Sequence, residues 1–407
     1  MPHSRYRYLE PQIKKALKHA SIVGILGHRQ TGKTTLSEAL SAEYVTLDAA
    51  STLDFARASP AEFLMGHQTP YCVDECQLAP ELFPALKEHV RIHKRPGQFL
   101  LTGSVKFTSR KAIRESLTGR LFQLELLPMT HQEANSKPLS NRPLQLIEAG
   151  SVETFLKKKS SSTPLSSIVA YLESGGLPGI CFFRESSIRQ GKFRSHLDTV
   201  LTRDLRLIHA TNLPQAVLIS LLKELAYSQG EPVDISKLSR KVRISVKTIP
   251  LLIEAMQSLF LLRIFETEGG TKRPVIYFED QGLASYLGAT GLDSPSGLLR
   301  STYSLFYPVF HYQFEMHFRL YRYHTRGGAC VPLAFETKKG TLGVIPSLGE
   351  TPTPSEFASA RSFLKAVKNA KVLILTVGGS KKRGASPRTP TVIEDRILLD
   401  RLENWVG

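Results

Sequence analysis

The stretch GHRQTGKT, from Gly27 to Thr34, constrains the fold of this chain more than any other. It fits the pattern G-x-x-x-x-G-K-[ST] without a mismatch, follows the apolar run Ser21 to Leu26, and leads straight into TLSEALSAEY, which reads as a helix. Strand, glycine-bearing turn and helix start together form a cradle for an anion, because backbone N–H groups converge there and the helix adds its positive end. Gly27, His28, Arg29, Gln30, Thr31, Gly32, Lys33, Thr34 and Thr35 are therefore the candidate nucleotide-binding residues. Lys33 is expected to reach the β- and γ-phosphates of ATP, and the Thr34 hydroxyl to bind Mg2+.

The residues that follow read as alternating strands and helices, which implies a parallel sheet with its ligand at the carboxyl ends of the strands. Glu43 to Asp48 is the second strand, and Tyr71-Cys72-Val73 is the third, ending in Asp74-Glu75. Asp74 is the candidate Mg2+ residue, acting through water, and Glu75 the residue that orients or deprotonates an attacking water. Gln98 to Gly103 is the fourth strand, with Thr102 and Ser104 at its carboxyl end either beside a γ-phosphate or serving as turn hydroxyls. Leu121 to Leu126 is the fifth. Arg120 at its mouth is either a cationic finger, in cis or toward a neighbouring copy, or an exposed structural arginine. Glu75, Lys33 and Arg120 are the catalytic candidates, and Thr102 joins the nucleotide-binding set. Residues 6 to 20 read as a basic helical approach whose charges face solvent.

With 407 residues the chain has room for two to four domains. Its 53 Lys and Arg against 36 Asp and Glu, a net charge of +17, favour a polyanionic partner such as DNA or RNA. Cys72, Cys76, Cys181 and Cys330 lack zinc-ligand spacing and the pattern of a disulfide framework, so reduced thiols in a cytoplasmic protein are expected. No stretch has the length needed to cross a bilayer, and no membrane partner is expected.

GHRQTGKTTL, YCVDECQLAPELFPALKEHV, FLLTGS and ESLTGRLFQLELLPMTHQEA, in that order and spacing, resemble a family of prokaryotic AAA-type ATP-binding proteins whose C-terminal region is catalogued only as a domain of unknown function. The resemblance implies ATP binding, hydrolysis and dependence on Mg2+. His28 stands where the family usually has proline. ESGGLPGI, from Glu173, resembles the family's Gly-Gly-x-Pro turn, and LTRDLRLI, from Leu201, its Arg-Asp pair on a helix. Arg203 is either a second residue reaching nucleotide across a subunit boundary or half of an ion pair with Asp204 or a nearby acid.

The expected organisation is a P-loop AAA-type ATPase domain over 1–134, a linker and helical region over 135–210, a winged-helix module over 211–290, and a C-terminal α+β domain over 291–407. In fold class this is α/β: a P-loop NTPase parallel sheet flanked by helices, then the winged helix, then a restriction-endonuclease-like domain. Residues 135 to 168, rich in proline and serine, read as loop and linker. From Gln215 the order helix, short helix, helix, strand, GG turn, strand is that of a winged helix, with Ser245 as a helix cap and Glu268 to Arg273 as the wing. Arg240, Lys241, Arg243 and Lys247 cluster where a DNA-reading helix carries its contacts, although such modules also bind proteins. Pro250 is expected to delay the third helix to Ile249 or Pro250.

The restriction-endonuclease resemblance implies a helix glutamate, here Glu315, and strand acids that are replaced by Cys330 and Pro332; Val344 to Leu348 likewise lacks the glutamate and lysine. A decayed nuclease site on a basic scaffold follows, with Pro332 and Pro346 tolerable only at sheet edges or bulges. Three functions are consistent with these readings. They are an ATP-driven switch coupled to DNA or a protein partner, an ATP-held clamp with little turnover, and an ATP-gated nuclease. Monomer, dimer and larger homo-oligomer are all compatible with the sequence.

Overall fold

A computed structural model of the chain describes residues 5–107, 119–156, 162–269, 273–289, 291–314, 317–349, 351–377 and 390–405. Its first layer is a five-stranded sheet of β1 (Ile22–Leu26), β2 (Glu43–Thr46), β3 (Tyr71–Asp74), β4 (Phe99–Gly103) and β5 (Leu121–Glu125). The order is β2-β3-β4-β1-β5, and every pair is parallel. β1, β3 and β4, apolar but for Asp74 and Thr102 at their carboxyl ends, are buried at every position, as strands covered on both faces must be. The edge strand β2 is only half-buried. Pairing of Leu26 with Gly103 and with Glu125 brings the carboxyl ends of β4, β1 and β5 to one rim. Two helices matter most there: α1 (Glu10–Leu17) and α2 (Lys33–Leu40).

The second layer is an eight-stranded mixed sheet in the order β12-β13-β11-β10-β9-β8-β6-β7. Its strands are β6 (Leu262–Gly269), β7 (Val275–Phe278), β8 (Arg319–His324), β9 (Cys330–Thr337), β10 (Gly340–Ser347), β11 (Ala370–Thr376), β12 (Thr391–Glu394) and β13 (Ile397–Arg401). Between the sheets lies a 19-residue helix, Pro295–Gln313. Its Phe310 ring stacks on Phe335 at 4.2 Å. On the other side the Tyr312 hydroxyl accepts from the Leu127 N–H at 3.3 Å, and the His311 ring bonds the Glu125 carbonyl at 2.9 Å. One apolar cluster therefore runs from Tyr8 to Trp405 and joins both sheets.

Several expectations change here. The stretch 135–168 carries helices Arg142–Glu148, Val152–Leu156 and the start of Leu165–Ser174. Leu146, Ile147, Val152 and Phe155 are buried, so this part of the chain packs as core where its proline and serine content suggested a linker. The helices Gln215–Tyr227, Ile235–Val242 and Thr248–Ser258 precede the β6–β7 hairpin, in the expected order. The expected wing is not a free hairpin, because Glu266–Gly269 of β6 pairs in parallel with Tyr321–His324 of β8. The helix at Pro250 begins at Thr248, one residue before the expected start. The proline falls in the first turn, where its missing N–H has no partner to lose, and the Ser245 hydroxyl accepts from the Thr248 N–H at 3.1 Å. Pro332 lies where the β8–β9 register slips, and Pro346 lies beyond the last β9–β10 pair, Val344 with Leu333. Both are places where a strand tolerates a missing donor. Glu315 lies outside the described residues.

Candidate functional site

The loop between β1 and α2 is shaped by backbone that only particular residues adopt. Gly27 has φ 156°, and a Cβ there would stand 2.3 Å from the Leu126 carbonyl oxygen. Gly32, at φ 94°, is the N-cap of α2, and no side chain caps that helix. The first-turn N–H groups of α2 at Lys33, Thr34 and Thr35 thus face a rim where the helix dipole favours negative charge. Thr34 and Thr35 are exposed, whereas Lys33 is buried. The Lys33 ammonium donates to the Gly27 carbonyl at 3.0 Å and to the His28 carbonyl at 2.9 Å. Burial lowers its pKa, against the opposing pull of Glu75 and Asp74.

Facing it are the acids at the end of β3. Asp74 is buried and accepts from the hydroxyls of Thr34 at 2.9 Å, Tyr44 at 2.8 Å and Thr102. Glu75, with φ 54°, turns its side chain aside from the strand. Its carboxylate accepts from the Ser104 hydroxyl at 3.1 Å and from the Gln77 amide, and its own N–H donates to the Thr102 hydroxyl at 3.1 Å. The sequence candidates Lys33, Thr34, Asp74, Glu75 and Thr102 are thus brought to one rim. An exposed Thr34 hydroxyl joined to a carboxylate fits a hard divalent cation that keeps several waters, such as Mg2+. Among the described residues no cluster of three or more His, Cys, Asp or Glu forms a metal site elsewhere.

The middle of the loop is held from outside the first sheet. His28 is buried, its Nε2 lying 2.8 Å from His196 Nε2 and its Nδ1 3.2 Å from the Leu259 carbonyl. Burial drives both imidazoles neutral. His28 falls well below its ordinary value, with His196 adding to the shift, and His196 falls to about 4. Arg29 pairs with Asp204 at 3.6 Å, and burial raises the Asp204 pKa. Gln30, exposed and at φ 66°, points its side chain toward Gly179. Thr31 Oγ1 donates to the His28 carbonyl at 2.9 Å.

Arg7, read from sequence as a solvated charge, is buried and bonds Glu133 at 3.1 Å, the Thr31 carbonyl at 2.5 Å and the Leu127 carbonyl at 2.7 Å. It ties the loop to the end of β5. Its only signal was an arginine between two tyrosines just before a helix-starting Glu-Pro. Tyr44, Gln77 and His196 were also missed, and nothing local marked them. Arg120 is exposed at the amino end of β5, in register with the start of β1, so the length of the sheet separates it from the loop. As a finger in its own site it is corrected on that ground. Arg203 pairs with Asp48 at 3.3 Å and with Asp204 at 3.9 Å, the ion-pair alternative.

Residues 19–135 match a family described as "AAA domain", and residues 165–296 match a domain of unknown function, DUF8612. An uncharacterized protein of Mycobacterium tuberculosis and one of Mycobacterium bovis are each 27% identical over 299 residues, covering 71% of this chain and 60% of the relative. The match therefore spans less than two thirds of those relatives. A Walker-type ATPase of Pyrococcus abyssi aligns at 12% identity and a TM-score of 0.37, over 68% of this chain and 94% of that one, a likeness too low to carry an argument. Among the described residues no helix is long and apolar enough to cross a membrane.

Proposed function

We propose that the chain, whose residues 19–135 match an AAA domain and whose residues 165–296 match a domain of unknown function, is an AAA-type P-loop protein that acts as an ATP-driven switch. The loop Gly27–Thr34 with Thr35 holds the triphosphate, and Lys33 turns from the Gly27 and His28 carbonyls to the β- and γ-phosphates. Thr34 and Asp74 hold Mg2+, which when bound neutralises charge on the phosphate oxygens. Glu75 orients the attacking water and takes its proton, while Thr102 fixes the Asp74 carboxylate. The observation that carries this reading is the meeting of Thr34, Asp74, Thr102 and Glu75 at one rim beside an uncapped helix start.

A second reading, an ATP-held clamp with little turnover, is favoured by the bonds from Ser104 and Gln77 that occupy the Glu75 carboxylate. Steady-state ATP hydrolysis and ATP binding by wild type, Lys33→Ala and Glu75→Gln separate the two. The switch requires turnover that Glu75→Gln lowers by about 100-fold with binding kept. Binding without turnover in the wild type selects the clamp, and wild-type binding no tighter than that of Lys33→Ala rejects both.

The output is DNA or a protein partner. The exposed Arg240, Arg243 and Lys247 on the helical part of a winged-helix-like module favour DNA phosphates, although the pairing of β6 with β8 leaves no free wing.

A further inference from the structure

Two consecutive loop residues are gripped by the second domain. The His28 ring lies between His196, on helix Ser186–Thr199, and the Leu259 carbonyl at the end of helix Thr248–Ser258. Arg29 meets Asp204 in the π-helical turn Val200–Asp204 that continues the His196 helix. The Arg203 guanidinium, one residue before, returns to Asp48 just after β2. Pro178 stands against Gly32, with its ring carbon 3.7 Å from where a Cβ would be. The His28 and Arg29 contacts fall on variable x positions of the G-x-x-x-x-G-K-[ST] pattern, so side chains that the pattern itself does not fix are the ones the second domain reads.

We infer that His28 and Arg29 couple the state of the phosphate loop to the helix carrying His196 and Asp204, with those two acting as positioning residues on the far side. The inference rests on the nucleotide reading above and goes beyond it by naming the path. The His28 peptide is the junction. Its carbonyl accepts from Lys33 at 2.9 Å and from Thr31 Oγ1 at 2.9 Å, while its ring is the part held by the second domain. When Lys33 turns to a phosphate, the His28 carbonyl loses its charged donor and keeps only those of Thr31, so the peptide is held less firmly. The His28 ring cannot follow a shift of that peptide without breaking the Nε2–Nε2 contact with His196 or the bond to Leu259. Both are buried, and a buried polar group left without its partner is costly enough to move a helix instead. With both rings neutral, one pair of tautomers satisfies both contacts: His28 Nδ1–H donates to the Leu259 carbonyl, and His196 Nε2–H donates to His28 Nε2. The Arg29–Asp204 pair lies one residue on, so a rotation of the loop peptide pulls the same helix at two points.

The test uses the full chain. Hydrogen exchange of residues 186–208 is followed with and without ATP and Mg2+ in wild type, His196→Leu, Asp204→Asn and Lys33→Ala, alongside the binding of a fluorescent ATP analogue. ATP is expected to change exchange of that segment in wild type by about 5-fold or more, the low end of ordinary coupling between sites. The change is expected to vanish in Lys33→Ala and to shrink in both His196→Leu and Asp204→Asn. A merely structural role for His196 would lower the melting midpoint yet leave the ATP-dependent difference intact, and that result overturns the inference. Should His196→Leu fail to fold, Asp204→Asn decides by the same comparison. Lys33-dependent binding with no exchange change in wild type rejects the coupling alone. Absence of Lys33-dependent binding rejects the nucleotide reading and this inference together.

Discussion

Asp74 at the end of β3 and Asp400 near the end of β13 are both buried carboxylates where parallel strands finish, yet their surroundings differ in kind. Asp400 accepts from the Trp405 indole at 2.9 Å, the Asn404 amide at 2.6 Å and the Arg401 N–H at 2.8 Å, and it pairs with Arg142 at 3.4 Å. Arg142 in turn lies over the rings of Phe155 and Trp405. That carboxylate is neutralised by a fixed cation, and its work is to seal the second sheet against helices Arg142–Glu148 and Val152–Leu156. Asp74 is bonded by three hydroxyls, which are neutral, adjustable donors, so its charge remains available to a cation. A buried acid with a dedicated cation reads as structure, and one held only by hydroxyls reads as a site.

The sharpest way to break this comparison is to neutralise each acid in turn. Asp74→Asn is expected to lower ATP turnover by about 100-fold with little change in melting midpoint. Asp400→Ala, which strands Arg142 in the core, is expected to cost about 3 kcal/mol in denaturant unfolding while turnover per folded molecule stays unchanged. If the two variants exchange these phenotypes, the distinction between neutral and cationic partners is worthless here.

Arg7 sharpens the comparison because it combines both kinds of work. Its removal in Arg7→Ala leaves Glu133 buried without its cation, again costing about 3 kcal/mol, and frees the Thr31 carbonyl, so ATP affinity falls as well. Arg7→Lys keeps the charge but lacks the fork that reaches Glu133 and two carbonyls at once. It should recover most of the stability and less of the affinity, as unfolding and ligand-titration curves would reveal.

Acid should act on the imidazole contact. Burial pushes the His196 imidazole down to about 4 from its ordinary 6.5, so the unfolded chain binds a proton in that interval that the folded chain refuses. Stability linked to this group is complete above the higher value and is lost as pH falls toward the lower. Melting curves of wild type and His196→Leu across this range should therefore converge on acidification, whereas parallel curves would mean that the imidazole is not held neutral. The smallest effect belongs to the basic helix surface. Arg240→Ala with Lys247→Ala should reduce the salt slope of any DNA binding by about 2 and shift stability by less than about 0.5 kcal/mol.

Much of the first sheet was legible because its signals are local. β1, the loop and α2 sit within twenty residues, and the acids ending β3 follow an apolar strand directly. The two strand prolines were legible as constraints, and the structure meets them with a register slip and a strand end. Arg7, His196 and Leu259 were not legible, because each acts on the loop from far along the chain; Leu259 lies 231 positions from His28. The buried helices inside 135–168 were hidden for a different reason. Their apolar residues are too few per turn to outweigh the proline and serine around them until a second surface covers them.

By itself, then, the sequence determined the strand–loop–helix turn with its lysine and threonine and the acids that close β3, since short-range geometry and backbone chemistry leave few alternatives for G-x-x-x-x-G-K-[ST] between a strand and a helix. Only the tertiary structure decided what grips the loop from outside, which end of β5 carries Arg120, and that the β6–β7 hairpin joins the second sheet. These depend on register and on burial of partners distant in sequence, and burial alone turns a hydrogen bond between two histidines, or a carboxylate among hydroxyls, into a constraint that the fold must satisfy.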